Sequence, residues 1–129
     1  MKVLALDYGA ARTGVAVSDA TGTIARPLGV VERAASDSGL AALGAIVRKQ
    51  QAELVVVGMP LTLRGQAGEQ ARETEAFVTA LGAAVDVPVE TYDERFTTRL
   101  AAREGGSTDE DARAAAHLLQ SYLESVARG

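Results

Sequence analysis

Short apolar runs, each bounded by glycine, proline or polar residues, predict five strands in this chain. The predicted strands cover residues 2–7, 13–19, 23–32, 53–58 and 88–93. Pro27 interrupts the third strand, which we therefore expect at an edge of the sheet, because proline cannot donate a ladder hydrogen bond. The fourth strand is almost wholly apolar, as is typical of a central strand that is covered on both faces.

Longer segments with apolar residues at helical spacing predict four helices. The first covers about residues 37–51, and the second follows the loop at 59–68 and is expected to stop at Gly82. Two more are predicted at about 97–104 and 109–127. This element order predicts an α/β fold with a five-stranded mixed sheet. Three antiparallel strands are followed by two parallel ones, with helices on both faces.

The length and composition indicate one globular domain, residues 1–129, with 47% hydrophobic and 23% charged residues. The chain has no cysteine, which excludes disulfides and a thiolate zinc site. We predict no leader segment and no membrane partner, and therefore a cytoplasmic protein. The net charge of −4 means that a nucleic-acid partner would have to be held by a local arginine patch and metal.

Acidic residues collect where predicted strands end. Asp7 closes the first strand directly before a glycine turn, and a carboxylate there is costly unless it is paired or coordinates a metal. Asp93 and Glu94 close the fifth strand, and the carboxyl ends of parallel strands form the ligand-binding edge of such sheets. These acids are therefore candidates for one shared site.

A fourth acid, Asp111, begins the core-facing stripe of the last predicted helix, at positions i, i+4, i+7 and i+11. The residues of this stripe are Asp111, Ala115, Leu118 and Tyr122. An acid in the first turn of that helix can reach the sheet edge and join the other three. Carboxylate oxygens without cysteine or histidine are typical ligands of Mg²⁺ or Mn²⁺.

Each of these acids also has a purely structural interpretation. Asp7 can cap the turn that follows it, and Asp93 can cap a following helix or be a solvated acid. Glu94 can form a surface ion pair with Arg95, and Asp111 can close a capping box at the start of its helix.

Four groups of residues together resemble the YqgF family, also called RuvX-like, over essentially the whole chain. They are Leu6-Asp7-Tyr8-Gly9 with Gly14-Val15-Ala16-Val17-Ser18-Asp19, Val57-Gly58-Met59-Pro60-Leu61 with Gly65, Tyr92-Asp93-Glu94-Arg95-Phe96-Thr97-Thr98, and Asp111 with Ala114-Ala115 and Leu118-Leu119-Gln120-Ser121-Tyr122-Leu123. The resemblance implies a ribonuclease H-like fold and a metal-dependent nuclease. Two roles are attached to the family: trimming the 5′ end of the 16S rRNA precursor, and resolving Holliday junctions.

The leading hypothesis is phosphodiester hydrolysis with two Mg²⁺ or Mn²⁺ ions, one activating water and the other stabilising the leaving oxygen. Asp7 would bridge both ions. Asp111 would hold one side of the pair of ions, and either Glu94 or Asp93 would hold the other. Five candidate phosphate ligands complete the predicted site: Arg12, Arg64, Arg95, Thr97 and Thr98. The sequence leaves open whether the substrate is pre-rRNA or branched DNA. Symmetric cleavage of a junction would require a homodimer.

Two other classes of protein are compatible with parts of the pattern. An ATP-binding lobe of a sugar kinase or actin-like protein also uses a strand, an aspartate and a glycine turn at phosphates. The length of 129 residues argues against it, because it leaves no second nucleotide-clamping domain. A non-catalytic factor that binds RNA or the ribosome through its arginines is the other alternative. Metal-independent binding without turnover would favour that factor.

Overall fold

The structure is a computed structural model that describes residues 1–61, 68–96 and 108–129. Its elements, in chain order, are β1 Val3–Asp7, β2 Arg12–Ser18, β3 Ala25–Glu32, α1 Asp37–Gln50, β4 Leu54–Met59, α2 Glu69–Ala84, β5 Val89–Asp93 and α3 Thr108–Arg128. A short 3₁₀ turn, Glu94–Phe96, directly follows β5. None of the helices within the described ranges is long and apolar enough to cross a bilayer.

The five strands form one sheet in the order β3-β2-β1-β4-β5. β1, β2 and β3 pair antiparallel, whereas β4 runs parallel to both β1 and β5. This arrangement confirms the predicted mixed sheet. It also confirms β3, which contains Pro27, as an edge strand. The parallel order places the carboxyl ends of β1, β4 and β5 at the same edge of the sheet.

The residues of β1 alternate between two hydrophobic cores, one on each face of the sheet. Leu4 and Leu6 belong to the core that is covered by α1 and α2. Val3 and Ala5 belong to the opposite core, which is covered by α3. By the same alternation, Asp7 lies on the α3 face.

The three α-helices that the structure describes were all predicted from the sequence, but one predicted boundary is wrong. Gly82 does not stop the second helix, because α2 continues through it to Ala84. A glycine inside a helix costs only about 1 kcal/mol, which the burial of Phe77 and Leu81 on the same helix offsets. The helix predicted at 97–104 lies outside the described residues.

Candidate active site

Asp7 is held at the end of the central strand β1, where it is only 3% exposed. It is directly opposite Gly14 of the antiparallel neighbour β2. Opposite residues of an antiparallel pair direct their side chains to the same face. A Cβ atom at Gly14 would point at Asp111 of α3, so this register also places the Asp7 side chain on the α3 face.

Asp111 occupies the first turn of α3 and is buried. The carbonyl group of Asp111 and the backbone nitrogen of Ala112 lie directly on Gly14, in space that any side chain at position 14 would fill. Gly14 therefore allows the start of α3 to approach the sheet beside Asp7. The predicted core-facing stripe explains this orientation, because Ala115 and Leu118 of the same helix are buried against the sheet.

Glu94 reaches the same face from the turn after β5. Val57 of β4 is aligned with Leu6 of β1, so the next residue, Gly58, lies beside Asp7 at the end of the parallel strands. A Cβ atom at Gly58 would be 3.0 Å from Cγ of Glu94 and 3.1 Å from Cδ2 of Leu118. The Glu94 side chain therefore crosses the end of β4 on the α3 side.

Asp93 makes a different set of contacts from its neighbour. Its Oδ1 accepts a hydrogen bond from the backbone N–H of Arg95 at 2.9 Å, which caps the 3₁₀ turn. Its Oδ2 lies 2.5 Å from Nη2 of Arg95 in an ion pair. The pKa of Asp93 is lowered, mainly by hydrogen bonds from the Arg95 side chain. These contacts agree with the structural interpretation of Asp93 as a cap.

Arg12, at the start of β2, forms an ion pair with Asp111. The distance from Nε of Arg12 to Oδ2 of Asp111 is 3.0 Å. The contact is electrostatic rather than a well-directed hydrogen bond, because Oδ2 of Asp111 accepts no hydrogen bond with satisfactory angles from any residue that the structure describes. A positive charge therefore already balances one of the buried acids.

The arrangement has the chemistry of a divalent-cation site, although it is not compact. Within residues 1–61, 68–96 and 108–129, no group of three or more histidine, cysteine, aspartate or glutamate side chains is close enough to hold a metal ion. Asp7, Glu94 and Asp111 nevertheless share one end and one face of the sheet. Their donors are all carboxylate oxygens, and two of the three acids are buried. This donor set fits Mg²⁺ or Mn²⁺.

Three of the predicted phosphate ligands, Arg64, Thr97 and Thr98, lie outside the described residues. Of the other two, Arg12 contacts Asp111 and Arg95 contacts Asp93. Both arginines therefore lie at the acidic edge of the sheet.

Sequence reasoning missed the roles of Gly14 and Gly58, which allow α3 and Glu94 to approach the strand ends. The signal was present, because a glycine inside a strand pattern often marks a close approach of another segment. Tyr8 lies on the other side of the sheet edge, where its ring stacks on Phe77 with 4.4 Å between ring centroids. Burial, followed by the charge of Glu73, raises the pKa of Tyr8.

The mixed sheet, the helices on both faces and the acids at the strand ends define a ribonuclease H-like fold. In agreement, the structure resembles that described as "T. thermophilus RuvC in complex with Holliday junction substrate", with a TM-score of 0.62 and 20% sequence identity. That similarity covers 98% of this chain and 96% of the other.

The chain belongs to the RuvX family: the family described as "RuvX: Holliday junction resolvase" matches residues 1–125. The protein named "Putative pre-16S rRNA nuclease" from Synechococcus sp. (strain JA-3-3Ab) is 42% identical over 130 residues, covering 94% of this chain and 82% of that protein. A protein of the same name from Anaeromyxobacter sp. (strain Fw109-5) is 40% identical over 133 residues, covering 96% of this chain and 97% of that protein.

Proposed function

We propose that this protein is a metal-dependent nuclease that trims the 5′ end of the 16S rRNA precursor. Asp7, Glu94 and Asp111 are its catalytic carboxylates. The observation that carries the proposal is the convergence of Asp7 and Asp111 at Gly14, although they come from opposite ends of the chain. The names of the relatives from Synechococcus and Anaeromyxobacter support the choice of pre-16S rRNA as substrate.

The three carboxylates differ in how firmly they are held. Asp7 is fixed by the ladders that β1 makes with both of its neighbours, and Asp111 is fixed by the contact of its backbone with Gly14. Glu94 lies in the short 3₁₀ turn after β5, outside the sheet ladders. We therefore assign to the site two oxygen donors on regular elements and one on a turn.

Mg²⁺ or Mn²⁺, as two ions, would be held by these carboxylates and would supply activation of water and stabilisation of the leaving oxygen. The protein contributes the orientation of the oxygen donors and a partly buried setting in which charges interact more strongly than in water. Arg12 and Arg95 are positioned at the edge of this setting and are our candidates for contact with substrate phosphates. Since Asp93 already caps the turn with Arg95, Glu94 is the better candidate for the third ligand.

The proposal is tested by a cleavage assay on an RNA that carries the 5′ extension of the 16S rRNA precursor, in Mg²⁺ and in Mn²⁺. We expect Asp7→Asn and Asp111→Asn each to reduce cleavage by about 100-fold or more, because each removes several kcal/mol of charge stabilisation. The matched control is Asp109→Asn, an exposed acid in the same helical turn. Cleavage by Asp7→Asn at the wild-type rate, with an unchanged circular dichroism spectrum, would refute the assignment.

A second candidate function is the resolution of Holliday junctions, which the description of the matching family favours. Symmetric resolution needs two active sites and therefore a homodimer with twofold symmetry. A synthetic four-way junction assayed beside the RNA, with light scattering at the assay concentration, separates the two substrates. Paired cleavage of the junction by a dimer, with no trimming of the RNA, would replace the first candidate with the second.

A non-catalytic binding factor makes a different prediction from either nuclease. Carboxylates repel phosphate unless a cation lies between them. A nuclease is therefore expected to bind its substrate better in Ca²⁺ than in EDTA, whereas a plain binding factor is not. The family match over residues 1–125 also favours a nuclease over an ATP-binding lobe.

A further inference from the structure

The ion pair between Arg12 and Asp111 lies inside the proposed site rather than at its periphery. The side chains of Arg12 and Asp111 are 35% and 13% exposed, so the carboxylate is shielded from water and the arginine is partly exposed. An ion pair with one buried partner has a larger interaction energy than a fully exposed pair, which contributes almost nothing to stability. This contact is therefore strong enough to influence what else Asp111 can bind.

The register of the sheet explains why Arg12 meets this acid. Arg12 and Gly14 are two residues apart on β2, so both direct their side chains to the α3 face. Gly14 is opposite Asp7, and the backbone of Asp111 packs against it. Arg12 therefore lies just beyond the end of β1, on the same face as Asp7 and Asp111.

We propose that Arg12 is an exchangeable counter-ion of Asp111. Arg12 balances this carboxylate until a divalent cation takes it as a ligand, and the released guanidinium then becomes available to a phosphate of the nucleic acid. This inference rests on the proposed function, because it takes Asp111 as a metal ligand. It makes Arg12 the link between metal binding and substrate binding.

Exchange has two consequences of opposite sign. Because Arg12 and the cation compete for one carboxylate, removing Arg12 is expected to tighten metal binding, and the coupling is reciprocal. In EDTA, however, the same removal leaves a buried carboxylate without its balancing charge and is expected to lower the melting temperature. A surface ion pair without a role at the site would produce neither effect.

The first experiment is calorimetric titration of Mn²⁺ into wild-type protein and four variants (Asp7→Asn, Arg12→Gln, Arg12→Lys and Arg113→Gln), with melting temperatures in EDTA and in Mn²⁺. Arg12→Gln is expected to bind Mn²⁺ at least about fivefold more tightly, to melt lower than wild type in EDTA, and to gain more from Mn²⁺. Arg12→Lys, which keeps the charge, is expected to lie closer to wild type. Arg113→Gln removes one positive charge from an exposed position of α3 and should leave Mn²⁺ affinity within about twofold of wild type.

The outcomes separate failure of the inference from failure of the proposed function. If wild-type protein binds Mn²⁺ in a manner that Asp7→Asn abolishes, but Arg12→Gln binds it no more tightly, the exchange is wrong and the metal site stands. If wild-type protein shows no such Asp7-dependent binding, the proposed metal site is wrong and the exchange falls with it.

The second experiment tests whether the guanidinium reaches the substrate. The probe is a fluorescein-labelled single-stranded RNA with the 5′-extension sequence, titrated in EDTA and in saturating Ca²⁺ and followed by fluorescence anisotropy. Arg12→Gln is expected to weaken binding in Ca²⁺ by about fivefold or more and to have a smaller effect in EDTA. Equal weakening under both conditions would mean that Arg12 contacts phosphate permanently, and would overturn the exchange.

Discussion

The carbonyl oxygen of Asp111 lies against Gly14, in the place where a side chain at position 14 would begin. This contact seats the first turn of α3 on β2, directly beside the residue that pairs with Asp7. Because Gly14 has no side chain, two acids that are far apart in the sequence can lie close together.

Gly14→Ala is expected to move the start of α3 away from the sheet. The obstruction is backbone rather than a flexible side chain, so we expect a loss of about 1–3 kcal/mol in the free energy of unfolding and a reduction in cleavage. Urea denaturation and the cleavage assay measure the two effects. The control is Gly29→Ala in the edge strand β3, where a Cβ atom would meet nothing within 4 Å. An alanine at position 14 that changed neither quantity would contradict the close packing described here.

Gly58→Ala is expected to affect activity more than stability. The new methyl group would press on the side chains of Glu94 at 3.0 Å and of buried Leu118 at 3.1 Å. Both contacts are side chains that can shift by a few tenths of an ångström, at a cost of about 1 kcal/mol. Cleavage is expected to fall about tenfold, because Glu94 then points away from the other acids. The matched control is Gly82→Ala, which adds its methyl group in open space on α2. It should stabilise the helix by up to about 1 kcal/mol and leave cleavage unchanged.

Glu94→Gln and Asp93→Asn separate two acids that the sequence could not distinguish. Glu94→Gln is expected to reduce cleavage by about 100-fold or more, as for the loss of a metal ligand. Asp93→Asn keeps the oxygen that caps the 3₁₀ turn but loses the ion pair with Arg95, so we expect less than about a tenfold reduction. Cleavage rates at saturating Mn²⁺ measure both, and the reverse ranking would assign the ligand to Asp93.

Asp19 stabilises the hairpin between β2 and β3 and is expected to make the free energy of unfolding depend on pH. Its carboxylate accepts hydrogen bonds from the Thr21 hydroxyl and from the backbone N–H groups of Thr23 and Ile24. These bonds, the Thr21 hydroxyl first, lower the pKa of Asp19 from 3.8 to about 2. Because the folded-state pKa lies below the unfolded one, this contribution is present above about pH 4 and is lost as the pH falls through about 2.

We therefore expect Asp19→Asn to be less stable than wild type at pH 7, with a difference that narrows between about pH 4 and pH 2. Urea denaturation at a series of pH values measures this difference. A difference that stayed constant over the whole range would show that the ionised carboxylate is not what stabilises the hairpin.

All five strands could be predicted from the sequence, because each is a short apolar run bounded by glycine, proline or polar residues. The predicted ends of the five strands differ from the observed ends by at most two residues. The order of the sheet followed from general rules for crossovers rather than from any one residue. The end of α2 could not be predicted, because Gly82 is a weak signal beside the packing of the helix.

The site was only partly predictable from the sequence. The face on which Asp7 lies follows from strand alternation, and that of Asp111 follows from helical spacing. The face of Glu94 could not be derived, because the 3₁₀ turn after β5 breaks the alternation of the strand. The pair between Arg12 and Asp111 depends on the tertiary docking of α3, which no local pattern encodes.

α3 is anchored far from its acidic end by Gln120. The side chain of Gln120 accepts a hydrogen bond from the backbone N–H of Ala25 at 3.0 Å and donates one to the carbonyl oxygen of Thr23 at 3.1 Å. At 1.5 Å per residue, these bonds lie about 13 Å along the helix axis from Asp111. The rotation and axial position of α3, and with them those of Asp111, therefore also depend on the hairpin between β2 and β3. Inactive variants found in that hairpin would be misread as folding defects unless their helix position were measured.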